Sequence, residues 1–191
     1  MSEEWRQSLA RYHASRAVGM MRLLSMAFSI VSMAATAAPL HPGDALPVLH
    51  GETLSGKPLD LPAAGAGRSR VLVFSFAKAA SADSRLWNDR LAKDVGRASP
   101  VIAFRVIELE SVPRLVRRMA VSGIKGGMPP ALWEQTILTY KDEAFWKDRL
   151  AVTTDKHSYV VVLDGEARVR WMSTSPYSES AYGQLSAALL Q

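Results

Sequence analysis

The sequence has no cysteine in its 191 residues. Thiol–disulfide exchange and thiol-based peroxide reduction both pass through a cysteine sulfur, so this chain can perform neither reaction. Disulfide bonds and thiolate metal sites are excluded for the same reason. Because 48% of the residues are hydrophobic, an ordinary core can still form without such cross-links. We therefore expect a domain held together by packing, with no thiol-based redox activity.

Patterns for binding metals and phosphates are also sparse. The four histidines are dispersed, and no pair has the His-x-x-x-His spacing of a metal site on a helix. The glycine-rich stretch at residues 123–127 (GIKGG) lacks the strand-to-helix context and the spacing of a phosphate-binding loop. We therefore expect no metal site and no cofactor.

The charge is too modest to indicate a nucleic-acid partner. The chain has 23 basic and 18 acidic residues, a formal charge of +5, and most of the basic residues are scattered. Arg114, Arg117 and Arg118 form the one basic cluster, with the i, i+3 and i+4 spacing of a shared helix face. A solvated helix face is the favoured interpretation, and contact with anionic lipid headgroups is the alternative.

The first 38 residues are typical of a targeting segment. An uncharged run at residues 23–38 follows Arg22 and contains Ala35-Thr36-Ala37, a small-x-small cleavage pattern. This run is about 16 residues long, shorter than the roughly 20 that a membrane-spanning helix needs. Translation from Met20 or Met21 would give a compact signal peptide, and residues 1–19 would then lie upstream of the true start. We expect an exported protein, either cleaved and periplasmic or anchored by this segment and facing the periplasm. The folded domain would then cover residues 39–191.

A mitochondrial presequence is the alternative interpretation of the same segment. It contains four arginines with interleaved serines, as such presequences do. Glu3 and Glu4 count against it, since presequences are poor in acidic residues.

Two short apolar runs predict strands that are buried on both faces: residues 71–76 (VLVFSF) and residues 101–109 (VIAFRVIEL). Between them, Leu86, Trp87 and Leu91 recur at helical spacing. Strands joined by such a right-handed crossover are expected to be parallel neighbours.

The flanking segments have weaker patterns. Residues 53–61 predict a small hairpin, and residues 113–119 begin a helix with Leu115, Val116 and Met119 on one face. Residues 131–140 and 143–150 have mostly helical patterns, with a strand at residues 136–140 as the alternative to the first.

The C-terminal part predicts a hairpin followed by a closing helix. Residues 159–163 (YVVVL) form the strongest strand pattern, and Asp164-Gly165 is a turn signal before the alternating residues 167–172 (ARVRWM). The complete order is strand, helix, strand, helices, hairpin and helix. It predicts an α/β domain with a central mixed β-sheet flanked by helices.

The alternation in the second hairpin strand assigns its side chains to faces. It places Arg168 and Arg170 on one face and Val169 and Trp171 on the other, with Trp171 in the core.

This order of elements resembles the thioredoxin fold. Aligning residues 74–83 (FSFAKAASAD) with the familiar Phe-Trp-Ala-x-Trp-Cys-x-x-Cys places Ala80 and Asp83 at the two cysteine positions, with Ser81 and Ala82 between them. The cis-proline of thioredoxins would fall near His157, where this chain has no proline. The resemblance implies a degenerate active-site region made of these five residues, with both redox hallmarks lost.

The same residues have a simpler interpretation. Ser81 and Asp83 are suited to cap the N-terminus of the following helix, which we favour. A catalytic arrangement of Ser81, His157 and Asp83 is conceivable only by analogy with the fold.

The hairpin also resembles a narrower family. Residues 157–171 (HSYVVVLDGEARVRW) are similar to the Gly-Tyr-Val-x-Leu-(Val/Leu)-Asp-x-x-Gly-x-(Ile/Val)-Arg-Trp pattern of the thioredoxin-like assembly factors of mitochondrial ATP synthase, the family numbered ten, and of their bacterial relatives. Tyr159, Asp164, Arg170 and Trp171 fall on this pattern, while Ser158 stands in place of the first glycine. The resemblance implies a non-enzymatic, chaperone-like role in binding or assembling a membrane-associated protein partner.

The principal alternative is an enzyme of peroxiredoxin or thiol-oxidoreductase descent with a non-thiol active site around Asp83 and His157. Such an enzyme would have a concave pocket joining these two side chains. A binding module would instead expose an apolar or aromatic patch.

Overall fold

The computed structural model describes residues 38–94 and 100–190. Its strands are β1 (Leu49–Thr53), β2 (Pro58–Leu61), β3 (Ser69–Ser75), β4 (Val101–Glu108), β5 (Thr136–Thr139), β6 (Tyr159–Leu163) and β7 (Val169–Ser173). Its α-helices are α1 (Ser81–Asp94), α2 (Arg114–Gly126), α3 (Glu143–Arg149) and α4 (Glu179–Leu189), and 3-10 helices cover Lys78–Ala80 and Pro130–Gln135. The predicted targeting segment lies outside the described residues except for Ala38, so both the segment and the boundary at residue 39 stay predictions. Within the described ranges, no helix is long and apolar enough to cross a membrane.

The strands form one seven-stranded mixed sheet in the order β2-β1-β5-β4-β3-β6-β7. β3 pairs in parallel with β4, and β4 pairs in parallel with β5. β6 is antiparallel to β3, and β7 is antiparallel to β6. The β1–β2 hairpin extends the opposite edge, since β1 is antiparallel to β5. The predicted α/β class, the parallel neighbours and the common sheet of residues 71–76 and 159–163 are therefore confirmed.

β3 lies at the centre of the core and is buried on both faces, as its apolar run predicts. Val71 and Val73 contribute to the cluster that packs beneath α1 and α4. Leu72 and Phe74 contribute to the opposite cluster, which includes Trp146 of α3. These four β3 residues are at most 2% exposed. The sheet is thus covered on both faces, and α1 follows β3 after the short 3-10 helix Lys78–Ala80.

Residues 131–140 differ from their mostly helical prediction. The segment begins as the 3-10 helix Pro130–Gln135 and continues as β5, which is fully buried between β1 and β4. The alternative prediction of a strand near residues 136–140 is the correct one. Sheet pairing on both sides outweighs the local helical pattern here.

The face assignment in β7 is also wrong. Val169 packs in the cluster of Leu72 and Phe74, whereas Trp171 packs on the other side of the sheet, with its ring 6.4 Å from that of Trp87. The cause is a β-bulge, since Val162 pairs with Trp171 while the next residue, Leu163, pairs with Val169. A bulge inserts one unpaired residue and reverses the alternation beyond it. Trp171 does pack against the core, as predicted.

Arg70 is a buried cation within the sheet and is 1% exposed. Its guanidinium donates to the carbonyl oxygens of Pro62 and, at 2.9 Å, of Asp164, with longer bonds to Ala64 and Gly165. Burial lowers the pKa of Arg70, and the nearby charge of Asp164 partly offsets that effect. The side chain therefore links the loop before β3 to the turn of the β6–β7 hairpin.

Candidate functional site

The first turn of α1 is the region that the sequence aligns with a redox motif. The 3-10 helix Lys78–Ala80 carries the chain from β3 into α1, which begins at Ser81. Ala80 is completely buried, whereas Ser81 and Ala82 are exposed. The Ser81 hydroxyl makes no hydrogen bond with any described residue, so nothing in that part of the chain activates it as a nucleophile.

Asp83 joins α1 to two distant segments. Its Oδ2 accepts the backbone N–H of Ser158 at 2.9 Å, and its Oδ1 accepts the backbone N–H of Tyr177 at 2.7 Å. Ser158 directly precedes β6, and Tyr177 lies just before α4. The helix-cap interpretation of Asp83 is therefore wrong, because its carboxylate binds N–H groups of other segments. These long-range partners have no signature in the local sequence.

His157 lies beside this junction, but its ring is directed elsewhere. Its Nε2 is 2.9 Å from the carbonyl oxygen of Thr174, which can only accept, so Nε2 carries the proton. The ring stacks on Tyr159 with a centroid separation of 5.0 Å. A hydroxyl pair formed by Ser75 and Ser158, 3.3 Å apart, lies buried below.

The structure thus brings Asp83 next to the residue that follows His157, without linking the two side chains. Among the described residues, no hydrogen bond joins Ser81, His157 and Asp83 in any pair. Both carboxylate oxygens of Asp83 already hold backbone N–H groups. The cavities at Arg105 and at Lys147 are lined by neither Asp83 nor His157. The arrangement therefore offers a rigid cross-link and contains no proton relay of the kind that general base catalysis requires.

Tyr159, the first family-like residue of the hairpin, has a structural role. Its hydroxyl accepts the backbone N–H groups of Thr153 and Thr154 at 3.0 and 3.2 Å and donates to the carbonyl oxygen of Thr154. The ring is buried, with an edge contact to Phe76. The side chain thereby fixes the loop that leads into β6.

Asp164 shapes the hairpin turn. Its Oδ1 accepts the backbone N–H groups of Glu166 and Arg168 at 2.9 and 2.8 Å. Ala167 completes the turn in the left-handed region, with φ of 65°. The hairpin is therefore well ordered by its own residues, and Arg170 lies at its bulge.

Among the four α-helices of the described residues, α2 is the one that contains no buried residue. Val121 and Ile124 are partly buried against a small cluster around Leu138. On the opposite side, Leu115 is 96% exposed and Met119 is 74% exposed. The sequence predicts that these apolar residues share a face, and the structure turns that face towards solvent.

The arginines of α2 are divided between its two sides. Arg117 is used by the fold: it donates to the carbonyl oxygens of Val112 and Glu110 at 2.8 and 2.9 Å and lies over the ring of Tyr140. Arg114 and Arg118 are exposed and have no ion pair or hydrogen bond with described residues. We define the outer face of α2 as the exposed residues Arg114, Leu115, Val116, Arg118, Met119, Ser122, Gly123 and Gly126. Its charge and apolar surface are both without a partner in the described chain.

Glu108, Glu110 and Glu143 bring carboxylate oxygens within 4.8 Å of one another. Each carboxylate has partners: Glu108 accepts the N–H groups of Leu109 and Glu110, and Glu110 accepts the N–H of Glu143. Glu143 accepts the N–H of Ser111 and pairs with Lys147. Burial raises the pKa of Glu108, against the opposing effect of its hydrogen bonds. These contacts account for the acidic cluster as a connection between β4 and α3, a role that sequence reasoning missed.

Comparison with known proteins identifies the fold of the chain. No protein-family model and no curated protein matches the chain. Among solved structures, a putative thiol:disulfide interchange protein DsbE from Chlorobium tepidum is similar with a TM-score of 0.57 and 17% identity, over 78% of this chain and 99% of that one. The pneumococcal exposed lipoprotein thioredoxin from Streptococcus pneumoniae has a TM-score of 0.52 and 14% identity, over 73% and 97%. A peroxiredoxin-like protein from Aquifex aeolicus has a TM-score of 0.52 and 14% identity, over 80% and 90%. The chain therefore has a thioredoxin-like fold, from which the cysteines of thiol chemistry are absent.

Proposed function

We propose that this protein is a redox-inactive, thioredoxin-like binding protein that assists the assembly of a membrane-associated protein complex. The observation that carries the proposal is the outer face of α2. Exposed apolar residues scattered singly are ordinary on soluble proteins, whereas adjacent ones on one helix face are typical of interaction sites. Leu115 and Met119 are one helical turn apart and are among the most exposed large apolar side chains described.

The charge of this face favours a protein partner with acidic groups. Arg114 and Arg118 border Leu115 and Met119, and no described acidic residue pairs with them. Arginine beside an apolar anchor is a common composition at protein interfaces. Ser122, Gly123 and Gly126 make the rest of the face small-sided, which lets another helix approach closely. The same small residues would contribute little to insertion in a lipid bilayer, because insertion depends on buried apolar area.

The contacts of Asp83 and His157 support a binding role over an enzymatic one. Asp83 holds three segments together, and the ring of His157 is directed to Thr174. An enzyme with a non-thiol site in this region would need these groups to face a substrate. No contact of theirs favours that alternative.

Two sequence patterns support the proposed assembly role and the proposed location. The hairpin around Tyr159, Asp164 and Trp171 resembles that of ATP synthase assembly factors, and residues 23–38 have the pattern of an export signal. The similar solved structures include an exposed lipoprotein thioredoxin, which agrees with an exported protein. We propose that the protein works outside the cytoplasm, at or near a membrane.

Site-specific cross-linking tests this proposal. The full chain is expressed in its native host with a photo-reactive phenylalanine analogue at Met119, and cross-linked products are identified from membranes. Leu86 offers a matched control, since it is an apolar side chain on α1 that is 53% exposed. We expect one reproducible protein adduct from position 119 and none from position 86. Equal adducts from both positions, or no adduct from position 119, would contradict the proposed binding face.

A further inference from the structure

A cavity of about 390 Å³ lies between α1, β4 and the 3-10 helix Pro130–Gln135. Its walls include Leu91, Val101 and Ala103, and its polar groups include Asn88, Arg105 and Gln135. The volume is within the range of sites that hold small molecules. The cavity is separate from residues 80–83 and His157 and from the outer face of α2, since none of these residues lines it.

Arg105 occupies an unusual position in this cavity. β4 alternates along the sheet, so Val101, Ala103 and Arg105 face α1, where apolar side chains are expected. The Arg105 side chain is half-buried and has no hydrogen bond or ion pair with the described residues. Burial lowers the pKa of Arg105, while the charge of Asp89 acts in the opposite direction.

Two other arginines that are not fully exposed have protein partners. Arg70 in β3 and Arg117 in α2 each donate to backbone carbonyl oxygens. Arg105 differs, because its half-buried guanidinium has no carbonyl or carboxylate partner among the described residues. Its N–H groups are therefore available to an anionic group bound in the cavity.

A second polar residue, Asn88, lines the same cavity. Asn88 is 6% exposed, and its amide nitrogen donates to the carbonyl oxygen and hydroxyl of Ser84 at 2.7 and 3.2 Å. Its side-chain oxygen has no donor among the described residues. Arg68 also lines the cavity, and its Nε donates to the carbonyl oxygen of Pro100 at 3.4 Å, so a second positive charge lies nearby.

We infer that this cavity binds a small organic carboxylic acid, with its carboxylate on Arg105 and its apolar body against Leu91, Val101 and Ala103. The planar guanidinium presents two parallel N–H groups that match a carboxylate. The apolar walls favour an aliphatic or aromatic body over a highly charged ligand such as a nucleotide. The confined volume favours a free small molecule over a segment of protein. This inference is independent of the proposed assembly role.

Titration with octanoate tests the inference. The full-length protein is titrated with sodium octanoate and with the neutral analogue octanamide, and backbone amide shifts are followed by NMR. We expect octanoate to shift the amides of β4 and α1, and octanamide to bind about tenfold more weakly, since a charge-assisted hydrogen bond contributes at least that factor.

Four variants localise the binding. R105Q should weaken octanoate about tenfold or more, and R105K should recover part of that loss as a point charge. R85Q removes an exposed arginine of α1 that does not line the cavity. The affinity of this variant for octanoate should therefore stay within about twofold of that of the original protein. A131W should block the cavity, because Ala131 is exposed at its edge and can be enlarged without disturbing the core.

Several results would overturn the inference. One is the absence of saturable amide shifts up to about 10 mM octanoate, since a site with a millimolar dissociation constant would be mostly occupied at that concentration. Another is equal binding of octanoate and octanamide, or an affinity that R105Q and A131W leave unchanged. A third arm uses the peptide N-acetyl-Leu-Leu-Glu-amide. If it shifts the same amides at lower concentration than octanoate, the cavity is a peptide site and the small-acid assignment is wrong.

Discussion

The carboxylate of Asp83 accepts the backbone N–H of Ser158 at 2.9 Å, across the gap between α1 and the strand β6. Its other oxygen accepts the N–H of Tyr177 at 2.7 Å. The sequence resemblance aligns Asp83 with the second cysteine of thioredoxins and His157 with the region of their cis-proline. At this place Asp83 joins α1 to the segments that precede β6 and α4.

Substitution of Asp83 should therefore destabilise the protein. D83A removes a charged acceptor and leaves two backbone N–H groups without their partner, so we expect the free energy of unfolding to fall by about 2–4 kcal/mol. D83N keeps one carbonyl oxygen and should lose less. The measurement is urea unfolding followed by circular dichroism. S81A, two residues away, is the control and should stay within about 0.5 kcal/mol. An Asp83 variant as stable as S81A would show that the carboxylate does not hold these segments together.

The purified protein should have no thiol-type redox activity. Insulin reduction in the presence of dithiothreitol and consumption of hydrogen peroxide should both proceed at the rate of buffer alone, because the chain has no cysteine sulfur. A typical thioredoxin serves as the positive control in the same assay. Insulin reduction or peroxide consumption that co-purifies with this protein and exceeds the buffer rate would contradict the prediction.

The sequence predicts the fold through its buried strands, because apolar runs such as the one in β3 have few alternatives. It fails where tertiary pairing decides the structure. Residues 131–140 have a mostly helical pattern with a strand at residues 136–140 as the alternative, and the position of β5 between β1 and β4 decides for the strand. The bulge that separates Val169 from Trp171 changes the pairing by one residue, and alternation alone cannot reveal that change.

The candidate sites are less predictable than the fold. The sequence aligns Asp83 with a redox position, but the N–H groups that it binds come from residues 75 and 94 positions away. The apolar face of α2 is visible as a pattern, yet a pattern does not say whether that face is covered. For Arg105, the sequence shows a single charged residue in an apolar strand, but it does not indicate the cavity that this residue lines.

Glu108 should make stability depend on pH. Burial raises its pKa in the folded protein, so in the window above its ordinary value near 4.5 the folded state binds more protons than the unfolded state. Stability from this group is thus fully present below that window and is lost as the pH rises through the folded pKa. E108Q keeps an oxygen for the N–H groups of Leu109 and Glu110 and has no such loss. We expect the E108Q variant to gain stability relative to the original protein as the pH is raised from about 4 to 7.

The measurement is urea unfolding of both proteins at several pH values in that interval. E134Q is a suitable control, because Glu134 is exposed and hydrogen bonds from Lys57 and Ser55 lower its pKa. Its stabilising effect should therefore be lost as the pH falls, in the opposite direction to that of Glu108. A difference between E108Q and the original protein that does not change with pH would contradict the assignment.

The outer face of α2 should be dispensable for folding. Leu115 and Met119 have most of their surface in water, so the double substitution L115S/M119S removes little buried area and should change the free energy of unfolding by less than about 0.5 kcal/mol per site. The same substitution should abolish the cross-linked adduct of a photo-reactive group placed at the neighbouring position 122.

L138S is the contrasting control: Leu138 is 1% exposed in the core, and its loss should cost several kcal/mol. If L115S/M119S unfolds the domain as L138S does, the face is covered within the native chain, and its exposure cannot support a binding role. If it leaves both stability and adduct intact, the partner binds elsewhere. Retained stability together with a lost adduct is the combination that only a binding surface produces.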